Sequence, residues 1–484
     1  MNQRIRIYLT RILLAASIIF TACSPGPQKE KNENTAAKKE ALSKQIPLQF
    51  EAIEKRKIFG NIKCKADTSN NYALYVPSSY TPSAPSAVIF FFDAQASGAL
   101  PLKKYKNLAD KYGYILAGSN NSRNGNSAEV NVAFARNMIH DVQTRLSIDQ
   151  SRVYTSGFSG GSRVASSVAI FDGGINTVIG CGAGFPAIEK PIENKFNYIG
   201  IAGNEDFNYN EMQDLENMLK KSDVEHVFLP FNGKHEWCPA EIMEKAFTWI
   251  QFKAMKQNLI PKNDSIVRVF LSAEKNQIEG LIKKNKKEEA LFTARQTFNF
   301  ISGLSPDTML LLTISQLENS KEVKKARERQ LELAQTEKAL KDQYLNAMAL
   351  KEIPWWKTET QRLNDTKRFP TDQVVMNKRI LSFLSLACYM NINQLMHANQ
   401  MTEAEHYLTI YKIIDPTNAE APYLQALIYF GKKENDKALE ELKSAAKLGF
   451  KEYERFEKDF GEITHTAKGR EISASIKENA AKEG

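Results

Sequence analysis

From about residue 46 to residue 256, short apolar runs alternate with stretches whose apolar residues recur every three or four positions. The runs NYALYVP, SAVIFFFDA, YGYILAGSN, RVYTSGFS, NTVIGCGAG, FNYIGIAGN and EHVFLPFNG read as strands. VNVAFARNMIHDVQTRL and YNEMQDLENMLKKS read as amphipathic helices between them. Several runs are continuous Val, Ile and Phe instead of alternating, as in strands covered on both faces. Strand–helix alternation at this spacing predicts an α/β fold, a doubly wound and mostly parallel sheet that binds ligands at the carboxyl ends of its strands. After about residue 257 strand signals fade, and Lys, Glu, Ala and Leu at helical spacing predict an all-α domain over about 262–480.

The helical part carries a repeat. Ala404 and Ala438 stand 34 positions apart, and Pro416 closes the stretch AEHYLTIYKIIDP. Ala426, Tyr429, Ala438 and Ala445, and before them Ala404, Leu408 and Pro416, fall where a tetratricopeptide repeat wants small or aromatic residues. Ile392 stands where a small residue is preferred. Residues 385–450 resemble that family, and 262–380 resemble it weakly. Such helix pairs stack because neither buries its apolar face alone, and their concave side takes a peptide or protein partner or braces the neighbouring domain. Trp355 and Trp356 in IPWWKTE read as a partner contact or as packing at a helix junction.

The first residues follow a different pattern. Arg4, Arg6 and Arg11 precede ILLAASIIF, an apolar run too short for a stable membrane anchor, and TAC ends at Cys23. This resembles a bacterial lipoprotein signal over residues 1–22, which implies lipidation of Cys23. It also implies a place in the cell envelope, at the outer membrane in preference to the inner, with the body periplasmic or surface-exposed. Residues 23–45 are polar, charged and nearly free of large apolar side chains, so they read as a tether.

Composition narrows the field. Apolar residues make up 42% of the 484, enough for a large core in two or three domains. The net charge of +9, from 65 basic and 56 acidic side chains, is thinly spread and argues against a nucleic-acid partner. Cys64, Cys181, Cys238 and Cys388 are scattered with no metal-binding spacing, and read as buried thiols rather than zinc ligands.

Candidate chemistry centres on Gly157-Phe158-Ser159-Gly160-Gly161, directly after the strand RVYTS and before the helix-compatible SRVASSVAI. That is the strand–turn–helix context of a nucleophile elbow, where any side chain at the flanking glycines would collide with the neighbouring strand or helix. A serine so placed needs a base, and the base needs an orienting acid, in chain order Ser, Asp or Glu, His. EDFNY after FNYIGIAGN offers Asp206, or Glu205 beside it. Of the 6 histidines, His235 alone follows both and sits just past a predicted strand end. Gly160 would supply one oxyanion N–H, and Ala94 or Gln95 the second. Asp93 beside them would oppose a developing oxyanion unless it points away and caps a turn. Asn120, Asn121 and Arg123, near the site mouth, read as substrate contacts or as a turn-rich surface loop. Trp237 lines the pocket or packs beneath the histidine loop.

Residues 70–250 resemble the α/β-hydrolase superfamily, specifically the polyhydroxybutyrate depolymerase and feruloyl-esterase-like carboxylesterases. The resemblance rests on VAFARNMIHDVQTRLSIDQSRVYTSGFSGGS, IAGNEDFNY and FNGKHEW. It implies an ester hydrolase with Ser159 as nucleophile, His235 as base and Asp206 as acid, needing no cofactor or metal. Polyesters, feruloyl and acetyl sugar esters and peptides are all within the superfamily's range. The competing reading is an inactive hydrolase fold that serves as a binding scaffold through its helical repeats.

Overall fold

The computed structural model describes residues 53–188 and 191–482. The segments expected from sequence as signal (1–22) and tether (23–45), with Cys23, lie outside the described residues. Eight strands form one sheet: β1 (Ile58–Lys63), β2 (Asn71–Tyr75), β3 (Ser86–Phe92), β4 (Ile115–Ser119), β5 (Ile148–Phe158), β6 (Thr177–Cys181), β7 (Asn197–Gly203) and β8 (His226–Phe231). Their order across the sheet is β1-β2-β4-β3-β5-β6-β7-β8. β1 and β2 pair antiparallel, as do β2 and β4, and every later pairing is parallel. The fold is α/β, a mostly parallel sheet followed by an all-helical region.

The apolar runs explain the layering. In β3, Ile89 and Phe91 face one core while Val88, Phe90 and Phe92 face the other, and none is accessible to solvent. In β7, Ile199 and Ile201 face the first core, and Tyr198 and Ala202 the second. Each such phenylalanine contributes about 1.5–3 kcal/mol by its burial. β1 was missing from the sequence-based reading. It is a half-exposed, antiparallel edge strand with a bulge between Phe59 and Ile62, and edge strands are kept polar to resist pairing with other chains.

Helices cover both faces. α1 (Ala99–Tyr112) and α5 (Ala240–Lys256) lie over the first core. α2 (Ala128–Arg145), α3 (Gly160–Ser167) and α4 (Tyr209–Leu219) lie over the second. The next four helices are α6 (Asp264–Lys283), α7 (Lys287–Ile301), α8 (Thr308–Asn319) and α9 (Lys321–Leu350). Val267, Ala290, Ala294, Leu310 and Val323 from these helices join the first core, so the helical region begins as a continuation of the sheet's own packing.

Beyond them come α10 (Ile353–Asn364), α11 (Thr371–His397), α12 (Met401–Ile414), α13 (Glu420–Gly431), α14 (Asn435–Lys447), α15 (Tyr453–Thr464) and α16 (Ala467–Lys482). Along α11, Met376, Ile380, Leu384, Cys388 and Ile392 recur every four residues and are fully buried. Ala404, Ala426, Ala438 and Ala445 are likewise fully buried, and small side chains there let neighbouring helices approach. Trp356 is buried and meets Trp355 edge-on, so this pair packs the α9–α10 junction. The four described cysteines are free and buried. Among the described residues no helix is long and apolar enough to cross a membrane.

Candidate active site

The carboxyl ends of β3, β5, β6, β7 and β8 converge on one point. After β5 the chain turns at Ser159, whose φ of 54° and ψ of −121° lie in a region non-glycine residues avoid. Such strain persists only where neighbours hold it. The Ser159 N–H donates to Cys181 O at 2.8 Å, and a Cβ on Gly157 or Gly161 would strike the backbone of Gly161 or of Phe92. Only glycine at both positions lets strand, turn and helix pack this closely.

His235, in the loop after β8, meets this serine: Nε2 lies 2.9 Å from Ser159 Oγ. Its Nδ1 lies 2.9 Å from both carboxylate oxygens of Asp206, in the loop after β7. An ionised carboxylate only accepts, so Nδ1 carries the imidazole proton and the Nε2 lone pair faces the serine hydroxyl. Asp206 is 1% exposed and the histidine side chain 20%, so the acid is sealed while the base remains reachable. The Asn208 N–H donates to Asp206 Oδ1 at 2.8 Å and fixes the carboxylate plane. Gly182, at the end of β6 with φ of 66°, makes room for the pair: a Cβ there would lie 3.1 Å from Asp206 Oδ2 and 3.2 Å from His235 Cε1.

Glu205, the alternative acid, turns away and pairs with Lys378 of α11 at 2.7 Å. The other five histidines lie away from this point: His226 begins β8, His140 lies in α2, and His397, His406 and His465 belong to the helical region.

The turn after β3 answers the question raised by Asp93. Its Oδ1 accepts from the N–H of Gln95 at 2.9 Å and of Ser97 at 3.4 Å, and its Oδ2 accepts from Trp237 Nε1 at 2.8 Å. The carboxylate is therefore occupied in capping its own turn. With the Gln95 N–H engaged there, Ala94 remains of the two candidates for a second oxyanion donor, beside Gly160.

Three of the candidate substrate contacts are engaged elsewhere in the structure. Asn120 donates to Gly60 O and Asn71 Oδ1, and Asn121 accepts from the Asn71 N–H and donates to Ser69 O. Both asparagines thus tie β4 to the β1–β2 hairpin. Trp237 is 5% exposed and packs against Phe91, Tyr105 and Phe158, below the site and not in its mouth. Arg123 is exposed and bridges to Gln95, while the Asn124 N–H donates to Ala94 O at 2.8 Å, so this loop lies against the 93–97 turn.

Two aromatic neighbours of the histidine were not picked out from sequence. Phe158 lies 4.7 Å and Phe207 4.2 Å from the His235 ring, centroid to centroid. The two rings thus wall the imidazole where it meets Ser159 and Asp206. Each adjoins a residue that was identified, Ser159 or Asp206, and adjacency was the available signal.

No model of a known protein family matches the chain, and no curated protein matches it. Solved structures do. A fluorophosphonate-binding serine hydrolase of Staphylococcus aureus is 13% identical, over 41% of this chain and 99% of that one, with a TM-score of 0.34. An esterase of Pyrobaculum calidifontis is 12% identical over 42% and 87%, with a TM-score of 0.34. Esterase 2 of Thermogutta terrifontis, in a propionate-bound structure, is 15% identical over 42% and 96%, with a TM-score of 0.35. The neighbours are serine hydrolases and esterases.

Proposed function

We propose that this protein is an exported serine hydrolase that cleaves carboxylic esters, with Ser159, His235 and Asp206 as its catalytic triad. The observation that carries the reading is the unbroken contact from Ser159 Oγ to His235 Nε2 and from Nδ1 to Asp206, on a serine held at positive φ. In this reading His235 takes the Ser159 proton as Oγ attacks the ester carbonyl, and Asp206 holds the imidazole in the required tautomer. The Gly160 and Ala94 N–H groups receive the oxyanion. Collapse of the tetrahedral intermediate expels the alcohol, which takes the proton from His235. Water then repeats the sequence on the acyl-enzyme and releases the acid.

The substrate class proposed is short- to medium-chain or carbohydrate-linked esters. The test is hydrolysis of p-nitrophenyl acetate and butyrate, acetylated sugars and a peptide panel by the full chain and by Ser159→Ala. Ester turnover lost in the variant supports the reading. Turnover of peptides alone makes the protein a peptidase on the same residues, and turnover of none favours a scaffold. Lipidation at Cys23 is proposed on the resemblance of the first residues to a lipoprotein signal. A Cys23→Ser variant that stays with the membrane fraction would contradict it. The tetratricopeptide-like helices α11–α14 are proposed to take a protein partner.

A further inference from the structure

The loop 204–207, which carries Asp206, receives hydrogen bonds from two halves of the chain. Its N–H groups are satisfied by the sheet half: Asn204 N–H donates to Phe231 O, and Glu205 N–H to Gly233 O. Asp206 O accepts from the Tyr209 N–H at 2.9 Å, but two other carbonyls of the loop are taken by the helical region. Arg379 of α11 donates from Nη1 to Asn204 O at 2.9 Å, and Lys341 of α9 donates from Nζ to Phe207 O at 3.1 Å. Between these cations sits Glu337 of α9, with no solvent exposure. It accepts from Arg379 Nε at 2.9 Å and Nη2 at 2.6 Å, and pairs with Lys341 at 2.8 Å. The Arg379 guanidinium also lies 5.3 Å from the Tyr209 ring, and Lys341 Nζ 5.2 Å from the Phe383 ring. Lys378 takes the Glu205 side chain. The grip therefore closes on Asn204, Glu205 and Phe207, the three residues that bracket Asp206, and Phe207 is also the ring against His235.

We propose that the helical region completes the catalytic centre: Arg379 and Lys341, fixed by Glu337, are positioning residues that hold Asp206 and Phe207 against His235. This rests on the triad reading above. A buried carboxylate shared by two cations has one well-defined geometry, because displacing any member leaves an uncompensated charge in the interior. That rigidity is conveyed through two backbone bonds to a loop whose displacement by about 1 Å would cost on the order of 10²-fold in rate. A ligand or partner that shifts α9 against α11 would thereby reach the active site without entering it.

The test compares Lys341→Met, Lys341→Arg and Arg379→Gln with the parent as full chains, on p-nitrophenyl acetate and on a fluorophosphonate probe. Lys341→Met keeps an unbranched side chain and removes the ammonium that donates to Phe207 O, pairs with Glu337 and lies over the Phe383 ring. It is expected to lower kcat about 10–100-fold with KM unchanged, and to slow fluorophosphonate labelling in proportion. Lys341→Arg restores charge and donor and is expected to recover most of the rate. Arg379→Gln is expected to act in the same direction and more strongly, and its denaturation midpoint separates unfolding from misplacement. If Lys341→Met unfolds more easily but turns over as fast as the parent, the contacts are structural only and the proposal falls. If the parent itself neither turns over ester nor takes the probe, the triad reading falls and this proposal with it.

Discussion

The loop that carries Asp206 and the turn that carries Ser159 meet at His235, yet different parts of the chain anchor them. The serine turn is held from within the sheet half, by the Cys181 carbonyl and by the close approach of Gly157 to Gly161. The neighbouring 93–97 turn is likewise self-contained, closed by Asp93, Trp237 and Asn124. It reaches the helical region through a long bond, Gln95 Nε2 to Glu452 Oε1 at 3.4 Å. The acid loop is gripped by three cations of α9 and α11, Lys341, Lys378 and Arg379, two of which Glu337 holds in place. On the proposed reading, the nucleophile and oxyanion donors are thus built into the sheet half, whereas the loop of the proposed acid is bonded by residues well over one hundred positions away in sequence. Damage to the helical region should therefore weaken the base and leave the serine's geometry intact.

Substitutions at the meeting point itself should have the largest effects. Ser159→Ala should reduce kcat on p-nitrophenyl acetate by about 10⁶-fold, and Asp206→Asn by about 10⁴-fold through the wrong histidine tautomer. Glu205→Gln, which removes only the pair with Lys378, should stay within about threefold of the parent, as befits an exposed ion pair. A loss at Glu205 equal to that at Asp206 would reverse the assignment of the acid.

Next comes Gly182→Ala, which drives a methyl toward Asp206 and His235 at a positive φ. It should lower kcat about 10–100-fold while KM holds, read from steady-state kinetics. On the serine side, Trp237→Phe leaves one oxygen of the buried Asp93 without its donor. That should cost about 1–3 kcal/mol in a urea titration and loosen the oxyanion turn. Ile392→Ala is the counterpart in the helical core, far from the acid loop. Cavity formation there should cost about 2–5 kcal/mol of helical-region stability with kcat close to the parent's.

The smallest effect concerns pH. Burial alone would raise the Glu337 carboxyl, but Arg379 and then Lys341 hold it below the usual glutamate range. A depressed folded value means this group's stabilisation is complete above the ordinary glutamate pKa, about 4.3. It is lost as pH falls through the lower folded value. Denaturation midpoints should decline on acidification below about pH 4.3, and Glu337→Gln should flatten part of that slope.

The sheet could be read from sequence because strands buried on both faces must be continuous apolar runs, and β3 and β7 are that. β1 could not, since an edge strand needs few apolar residues and IFGNIK offers a weak alternation. Ser159, Asp206 and His235 could be picked out because the order and strand-end placement of these residue types are narrow requirements. Glu205 stayed a rival until three dimensions showed it facing Lys378. Asn120 and Asn121 looked like site residues because turn chemistry and ligand contact use the same side chains. The grip of Glu337, Lys341 and Arg379 left no local trace, since helical charges at that spacing usually face solvent, and only tertiary packing buries them.

The central claim is that Ser159 is a nucleophile activated by His235. The most direct measurement is fluorophosphonate labelling of the full chain, followed by mass spectrometry of the labelled peptide. The account predicts a single adduct on Ser159 that disappears in His235→Ala. A folded protein that takes no label, or takes it on another serine, would contradict it.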